Sequence, residues 1–375
     1  MARHRSRLVF VKTYHAESVR AGLEAAADAG LSWQEFGLTT IELLQRAIPN
    51  DGICLGPADP ATSLLTGRVK SGIDGADEVA FVQHEYGAPD INRFADLARR
   101  EIGVSILDEA TGGRPELSAR HRQIVASTGL RHEMRGTMRS DRRMWGFYTL
   151  YREKGRTGFS PAEAEFMHRL EPALTRGMRR GLISADVEWQ DSGTAVVVVN
   201  AADQITSATP AAAERIADLG GDLWSRLPVS VAIVVSAARG VPGLATQVPQ
   251  MRLRSQSGQW LTVQAAPIRG QDGLTTDIAV TIEPAGAAII PLVVAAYGLT
   301  ERERAVVQEV LGGASTAQIA QQLHVSPYTV QDHLKAIFDK VGVSSRRELS
   351  SRIFIDHYAG RLGQGVGADG WFSGG

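Results

Sequence analysis

The sequence predicts a multidomain α+β protein, and three observations carry that expectation. The chain has 375 residues, more than one hydrophobic core usually organises. Its middle third alternates short β-branched runs with turn residues, the pattern of antiparallel hairpins. From Leu299 to Leu349 four helix starts follow one another, each with its own capping device. Composition sets the outer bounds: 43% hydrophobic and 22% charged residues are ordinary for a globular chain. No apolar run approaches the roughly 20 residues that cross a bilayer, so no membrane partner is expected. The opening MARHRSRLVFVKTYHAE is basic, but its apolar stretch is too short for a signal peptide. Cys54 is the single cysteine, which excludes an intrachain disulfide and suits a reducing, cytoplasmic setting. A net charge of −1 argues against a generic polyanion binder.

The elements follow in order. Val19, Leu23, Ala26 and Ala27 line one face of an amphipathic helix that ends at Gly30, and a short helix is expected around Thr40–Ile48. Strands are expected at Gly52–Leu55, Val79–Gln83, Leu130–Arg139 and Met144–Arg152. Ser160, Pro161 and Glu163 then open a long helix. Its stripe of Met167, Leu170, Leu174, Met178 and Leu182 suits either a core or pairing with a twin helix. In the second region, TAVVVVNAADQITSATPAAAERIADLG reads as strand, turn at Ala202–Asp203, strand and short helix. MRLRSQSGQWLTVQAAPIRG reads as a hairpin turning near Ser257–Gly258, and DIAVTIEPA as a closing strand. VSVAIVVSAARG stays open: β-branched residues favour strand, while its length and Gly240 allow a helix. The end of the chain is Gly-rich and expected to be disordered; its Gly365-x-Gly367-x-x-Gly370 follows no strand and is a chance match to a dinucleotide fingerprint.

The C-terminal starts are Thr300 with Glu303, Ser315 with Gln318, Ser326 with Pro327, and Ser345 with Glu348. Val306, Val307, Val310, Ile319, Leu323, Val330, Leu334, Ile337 and Leu349 can close a small core. Only His324-Val325 separates the second helix from the third, which is helix-turn-helix geometry. The helix from Pro327 leaves Tyr328, Asp332, Lys335 and Asp339 opposite its apolar side, with Gln331 at the edge. LTERE, followed by GGASTAQIAQQLHVSPYTVQDHLKAIFDKVGVSSRREL, resembles the DNA-binding domain of LuxR-type transcriptional regulators at many fixed spacings, Val341 standing where the family usually has Leu. The resemblance implies that the Pro327 helix enters the major groove of double-stranded DNA. On that reading Tyr328, Gln331, Asp332 and Lys335 contact bases, whereas Ser326, Thr329, Lys340 and Arg346 contact phosphates. His333 flanks the core side and is expected to be structural. Seven cations and seven carboxylates between Leu299 and Tyr358 cancel, so one domain should bind weakly. A homodimer on an operator with two half-sites would recover affinity.

Upstream, residues 190–286 resemble a PAS domain with an antiparallel sheet, and residues 1–187 resemble a GAF domain with an α/β/α sheet. The LuxR-type four-helix domain would span 295–359 and the tail 360–375. These resemblances imply sensory modules that take a small-molecule ligand or a protein partner, and no enzyme. No histidine or cysteine lies between His168 and His324, which removes the usual haem ligand and flavin-adduct thiol, so no cofactor is expected. His84, His121 and His132 share no ligand spacing, and no metal site is expected. Cys54 reads as a buried filler rather than a redox switch. Eleven Lys and Arg residues from Arg114 to Arg156, against four carboxylates, suggest a solvated loop and strand edge, with an anionic ligand or extra DNA contact as the alternative. Two other functions stay open: a regulator acting by contact with RNA polymerase or another protein, and an enzyme-like module with an accessory helix-turn-helix.

Overall fold

The computed structural model describes residues 16–73, 78–184, 193–240, 248–271 and 273–358. The Gly-rich tail and the expected boundary near residue 187 lie outside them. The chain divides into two compact units, one carrying two sheets and the other the helices after Ala285.

In the first unit, helix α1 (16–28) and helix α2 (Trp33–Ala47) precede strand β1 (Gly52–Pro57) and strand β2 (Val69–Ser71). Gly30, at φ +71°, ends the first turn-helix element as its missing Cβ allows. Helix α3 (Glu78–Val82) runs into a π-helical turn at Gln83–Gly87. Helix α4 (Phe94–Arg99), strand β3 (Val104–Ile106), helix α5 (Leu107–Ala110) and helix α6 (Ala119–Gln123) follow. Strands β4 (Leu130–Ser140) and β5 (Arg143–Glu153) form the long hairpin, and helix α7 (Pro161–Ile183) closes the region. The sheet order is β2-β1-β5-β4-β3, with each neighbouring pair antiparallel. Helices α2 and α7 cover one face, and α4 packs on the other. The close α2–α7 approach needs Gly177, because a Cβ there would meet the Phe36 ring at 2.2 Å.

Val79–Gln83 is helical, not a strand. Its apolar residues are drawn against helix α9 (Val229–Arg239), and tertiary packing overrides their β propensity. The Met167–Leu182 stripe is core: all five side chains are at most 4% exposed. It is therefore filled by the chain's own sheet and helices and leaves no face for a twin.

The second sheet comprises β6 (Ala195–Val199), β7 (Ile205–Ala208), β8 (Gln250–Arg254), β9 (Trp260–Gly270) and β10 (Gly273–Pro284). Its order, β7-β6-β10-β9-β8, repeats the connectivity of the first sheet. Helix α8 (Ala212–Asp218) follows the first hairpin. The open stretch at Val229 resolves as the helix α9, buried from Val231 to Ser236. One apolar cluster joins the sheets, with Phe94, Leu97 and Phe147 packing in the same core as Val231, Val235 and Leu261. A polar clamp reinforces it. Asp59, 2% exposed, accepts from the Arg252 backbone N–H at 2.8 Å and from its guanidinium at 3.0 and 2.7 Å.

The basic stretch divides: Arg114, Arg122, Arg142, Arg143, Lys154 and Arg156 are exposed, as a solvated loop and strand edge requires, while others turn inward. Arg120 and Arg135 are fully buried and paired with Glu133 at 2.6 Å and Glu85 at 2.8 Å. Arg135 also lies 3.6 Å over the Phe94 ring and donates to the Asn92 carbonyl. Arg139 pairs with Glu171, Arg152 with Glu163 and Arg156 with Asp51. Arg120 and Arg135 are buried together with carboxylates because a buried charge without a partner is too costly.

The second unit holds helix α10 (Ile290–Ala296), α11 (Glu301–Leu311), α12 (Thr316–Gln322), α13 (Pro327–Val341) and α14 (Arg346–Tyr358). Helix α10, absent from the sequence reading, packs on α14 and adds Val294 to the core. Its signal was Pro291 in the first helical turn before an apolar run. No helix among the described residues is long and apolar enough to cross a membrane.

Candidate nucleic-acid interface

Four local devices set the geometry of α12, the turn and α13. The Ser315 hydroxyl accepts from the Gln318 backbone N–H at 3.4 Å, and the Gln318 side chain accepts from the Ser315 N–H at 2.8 Å. The chain reverses at His324, whose φ of +53° is left-handed, and the Val325 N–H returns to the Ala320 carbonyl at 2.9 Å. Ser326 caps α13, accepting from the Thr329 N–H at 3.0 Å, and its hydroxyl is 2.8 Å from that of Thr329. Gly342, at φ +75°, stops the helix in a conformation that a Cβ would strain.

Val330, Leu334, Ile337 and Val341 turn inward and are at most 6% exposed. They meet Val306, Val307, Ile319, Leu349 and Ile353 in one cluster. Burying four such side chains contributes about 1.5–3 kcal/mol each, which fixes the rotation of α13 about its axis. That rotation places Tyr328, Gln331, Asp332 and Lys335 together on the outer face, all exposed, Tyr328 by 73%. All four expected base-contacting residues thus share one accessible surface of this unit. His333 lies at the margin, half-buried.

The four residues expected at phosphates divide. Ser326 and Thr329 sit at the α13 N-terminus, where the helix dipole favours anions. Lys340 instead places its ammonium 2.7 and 2.6 Å from the two Glu303 oxygens. Glu303 is 5% exposed and also accepts from the Thr300 N–H at 2.7 Å. Burial would lift its pKa, yet hydrogen bonds from Lys340 and Thr300 outweigh this and hold the carboxyl below its usual range. One carboxylate therefore caps α11 and ties it to the end of α13. Arg346 donates to the Ala314 carbonyl at 2.9 Å and to the Thr316 hydroxyl at 3.0 Å, latching α14 to the start of α12. Both cations serve the domain's own framework first. The Glu303–Lys340 pair escaped the sequence reading, although a carboxylate placed on an apolar helix face demands a cation somewhere. The expected Ser345–Glu348 box forms by half: the Ser345 hydroxyl accepts from the Glu348 N–H at 3.2 Å, while the Glu348 carboxylate accepts from the Ser344 N–H at 2.6 Å.

The arrangement offers a convex polar ridge with hydrogen-bonding groups of every kind. Gln331 donates and accepts, Lys335 donates, Asp332 accepts, and Tyr328 brings an aromatic ring with a hydroxyl. Cys54, in the other unit, is no rival site: burial, with lesser lowering from Arg68 and Lys70, pushes its thiol up to about 11. Among the described residues no three His, Cys, Asp or Glu side chains converge as metal ligands.

Comparison with known proteins agrees with this geometry. Residues 298–352 match the family described as bacterial regulatory proteins, luxR family. The transcriptional regulatory protein UhpA of Salmonella typhimurium is 31% identical over 148 residues, covering 36% of this chain and 69% of UhpA. The monoamine regulon transcriptional regulator of Klebsiella aerogenes is 47% identical over 57 residues, covering 15% of this chain and 25% of that protein. Among solved structures, the phycoerythrobilin-bound GAF domain of a cyanobacterial phytochrome aligns with 44% of this chain and 95% of its own. Its identity is 14% and its TM-score 0.31, too low to carry weight. The helix-turn-helix geometry, the matched family and the UhpA relationship converge: the chain belongs to the LuxR family of bacterial regulatory proteins.

Proposed function

We propose that this protein is a cytoplasmic, sequence-specific transcription factor whose α13 lies in the DNA major groove. The observation that carries the proposal is the sealed apolar side of α13 opposite the exposed cluster Tyr328, Gln331, Asp332 and Lys335. The major groove admits an α-helix, and these side chains suit its edges. Gln331 matches adenine N6 and N7, Lys335 matches guanine O6 and N7, and Asp332 accepts from cytosine N4. Ser326 and Thr329, at the positive end of the α13 dipole, meet a phosphate and set register. Lys340 and Arg346 reach phosphates only by sharing or leaving their present partners.

Balanced charge in the helix-turn-helix region means few counterions are released per subunit. Specific binding therefore needs a homodimer on two half-sites, joined through a surface other than the buried α7 stripe. A ligand or partner taken up by the sheet-bearing unit controls the regulator by favouring one arrangement, to the extent of its differential affinity. The UhpA and monoamine-regulon relatives are named as transcriptional regulators, which supports this reading over an enzymatic one.

Footprinting of the full chain on DNA selected from a random pool tests the proposal. Gln331→Ala with Lys335→Ala should weaken the selected site by at least 10-fold, since each bidentate base contact carries about 1–3 kcal/mol of discrimination. Unchanged footprints would reject major-groove reading and point to a role in contacting another protein.

A further inference from the structure

The sheet-bearing unit encloses a cavity of about 610 Å³ that no part of the DNA-reading argument uses. Its walls come from both sheet regions. Cys54, Phe147 and Tyr151 rise from β1 and β5 of the first sheet, and Phe81 from α3. Ile233 of α9 and Leu253 of β8 face it from the second region. A volume in the range of about 300–1,000 Å³, apolar walls and a few convergent polar groups characterise sites for small molecules.

The charges around it are unequal. Among the described residues Arg68 and Lys70 share one carboxylate, Glu78, with Lys70 at 3.2 Å and Arg68 in direct contact. On the other wall Arg226 and Arg254 stand with Asp218. Among the described lining residues four cations stand against two carboxylates, while the interior offers mostly hydrocarbon and ring surface. An anionic head would give the Arg68–Lys70 pair a counter-charge beside Glu78, whereas a cationic guest would be repelled.

We infer that this cavity takes an amphipathic carboxylate, its apolar body between the two sheet regions and its head against Arg68 and Lys70. The inference rests on the proposed ligand control and gives it a place and a chemical class. A guanidinium fork beside an ammonium is suited to a carboxylate head, which it holds through charge-assisted hydrogen bonds. Because both sheet regions supply walls, the occupant makes contacts that neither region offers alone. It therefore stabilises their joint arrangement by mass action.

Isothermal titration of the full chain with dodecanoate, dodecanol and dodecyltrimethylammonium tests this. Dodecanoate should bind at least 10-fold tighter than dodecanol, and the ammonium should not bind. Arg68→Ala with Lys70→Ala should erase the preference for dodecanoate over dodecanol. Ser230→Trp, placed on the α9 wall of the cavity, should abolish binding of both. Equal affinities for acid and alcohol, absence of any binding, or undiminished binding by the Ser230→Trp variant would each overturn the inference. If the double variant loses its cooperative melt, the head-group comparison in the unaltered chain and the Ser230→Trp result decide. No DNA is present in this titration, so its failure leaves major-groove reading intact, and a lost footprint would leave the cavity result standing.

Discussion

Replacing Lys340 with methionine separates two jobs that the residue could hold. The substitution keeps the aliphatic stem and removes the ammonium that contacts both Glu303 oxygens at 2.7 and 2.6 Å. Breaking a fully buried ion pair costs about 3–5 kcal/mol, because the surviving charge is stranded. Glu303 is nearly buried, but the Lys340 side chain is 37% exposed, so water offsets part of the loss. A cost of about 2 kcal/mol follows once exposed pairs are counted at no more than about 1 kcal/mol. Hydrogen exchange of α11 and α13 peptides in the full chain should then speed up by roughly 30-fold if opening is local. The pH dependence has a definite sign. Glu303 has a lowered pKa when folded, so the pair's stabilisation is complete above the unfolded glutamate pKa of roughly 4.3. It is lost as pH falls through the lower, folded value. The difference between the parent chain and the variant should therefore be constant near neutrality and shrink in acid. DNA binding should keep its salt dependence. Unchanged exchange, together with a salt slope reduced by about one, would show that Lys340 is a phosphate contact and refute the clamp.

Two other substitutions probe the sheet-bearing unit. Asp59→Ala removes the carboxylate that holds the Arg252 guanidinium and the acceptor for the Ala61 N–H, so calorimetry should show the melt of this unit lowered by about 2–4 kcal/mol of stability. For the buried Arg120–Glu133 pair, Arg120→Met alone should cost about 3–5 kcal/mol. Adding Glu133→Leu should restore part of that loss in urea unfolding, and a double variant worse than the sum would contradict a simple ion pair.

The helix-turn-helix unit was legible because its instructions are short-range. Thr300–Glu303 and Ser315–Gln318 act across three residues, and both boxes form as read. The core side of α13 follows from spacing alone, so the outward placement of Tyr328, Gln331, Asp332 and Lys335 came with it. Two apolar segments were not legible in the same way. Val229–Arg239 carries apolar residues on more than one side because it packs inside the joint core, whereas Val79–Gln83 is too short to show a period, with Val82 buried and Val79 exposed. Where burial surrounds a segment, no periodicity remains to separate helix from strand.

Local sequence determined where helices begin and end, which strands turn back on their neighbours, and which face of α13 meets water. Capping, turn chemistry and hydrophobic period act within a few residues, and they survive whatever the rest of the chain does. Tertiary structure alone decided the pairing of charges: Arg135 with Glu85, 50 residues away, and Lys340 with Glu303, 37 residues away. It also decided that the two sheet regions share one core and one cavity. Such contacts depend on which surfaces are brought together in space, and a buried ion finds its counter-charge only after folding has removed the water that would otherwise serve.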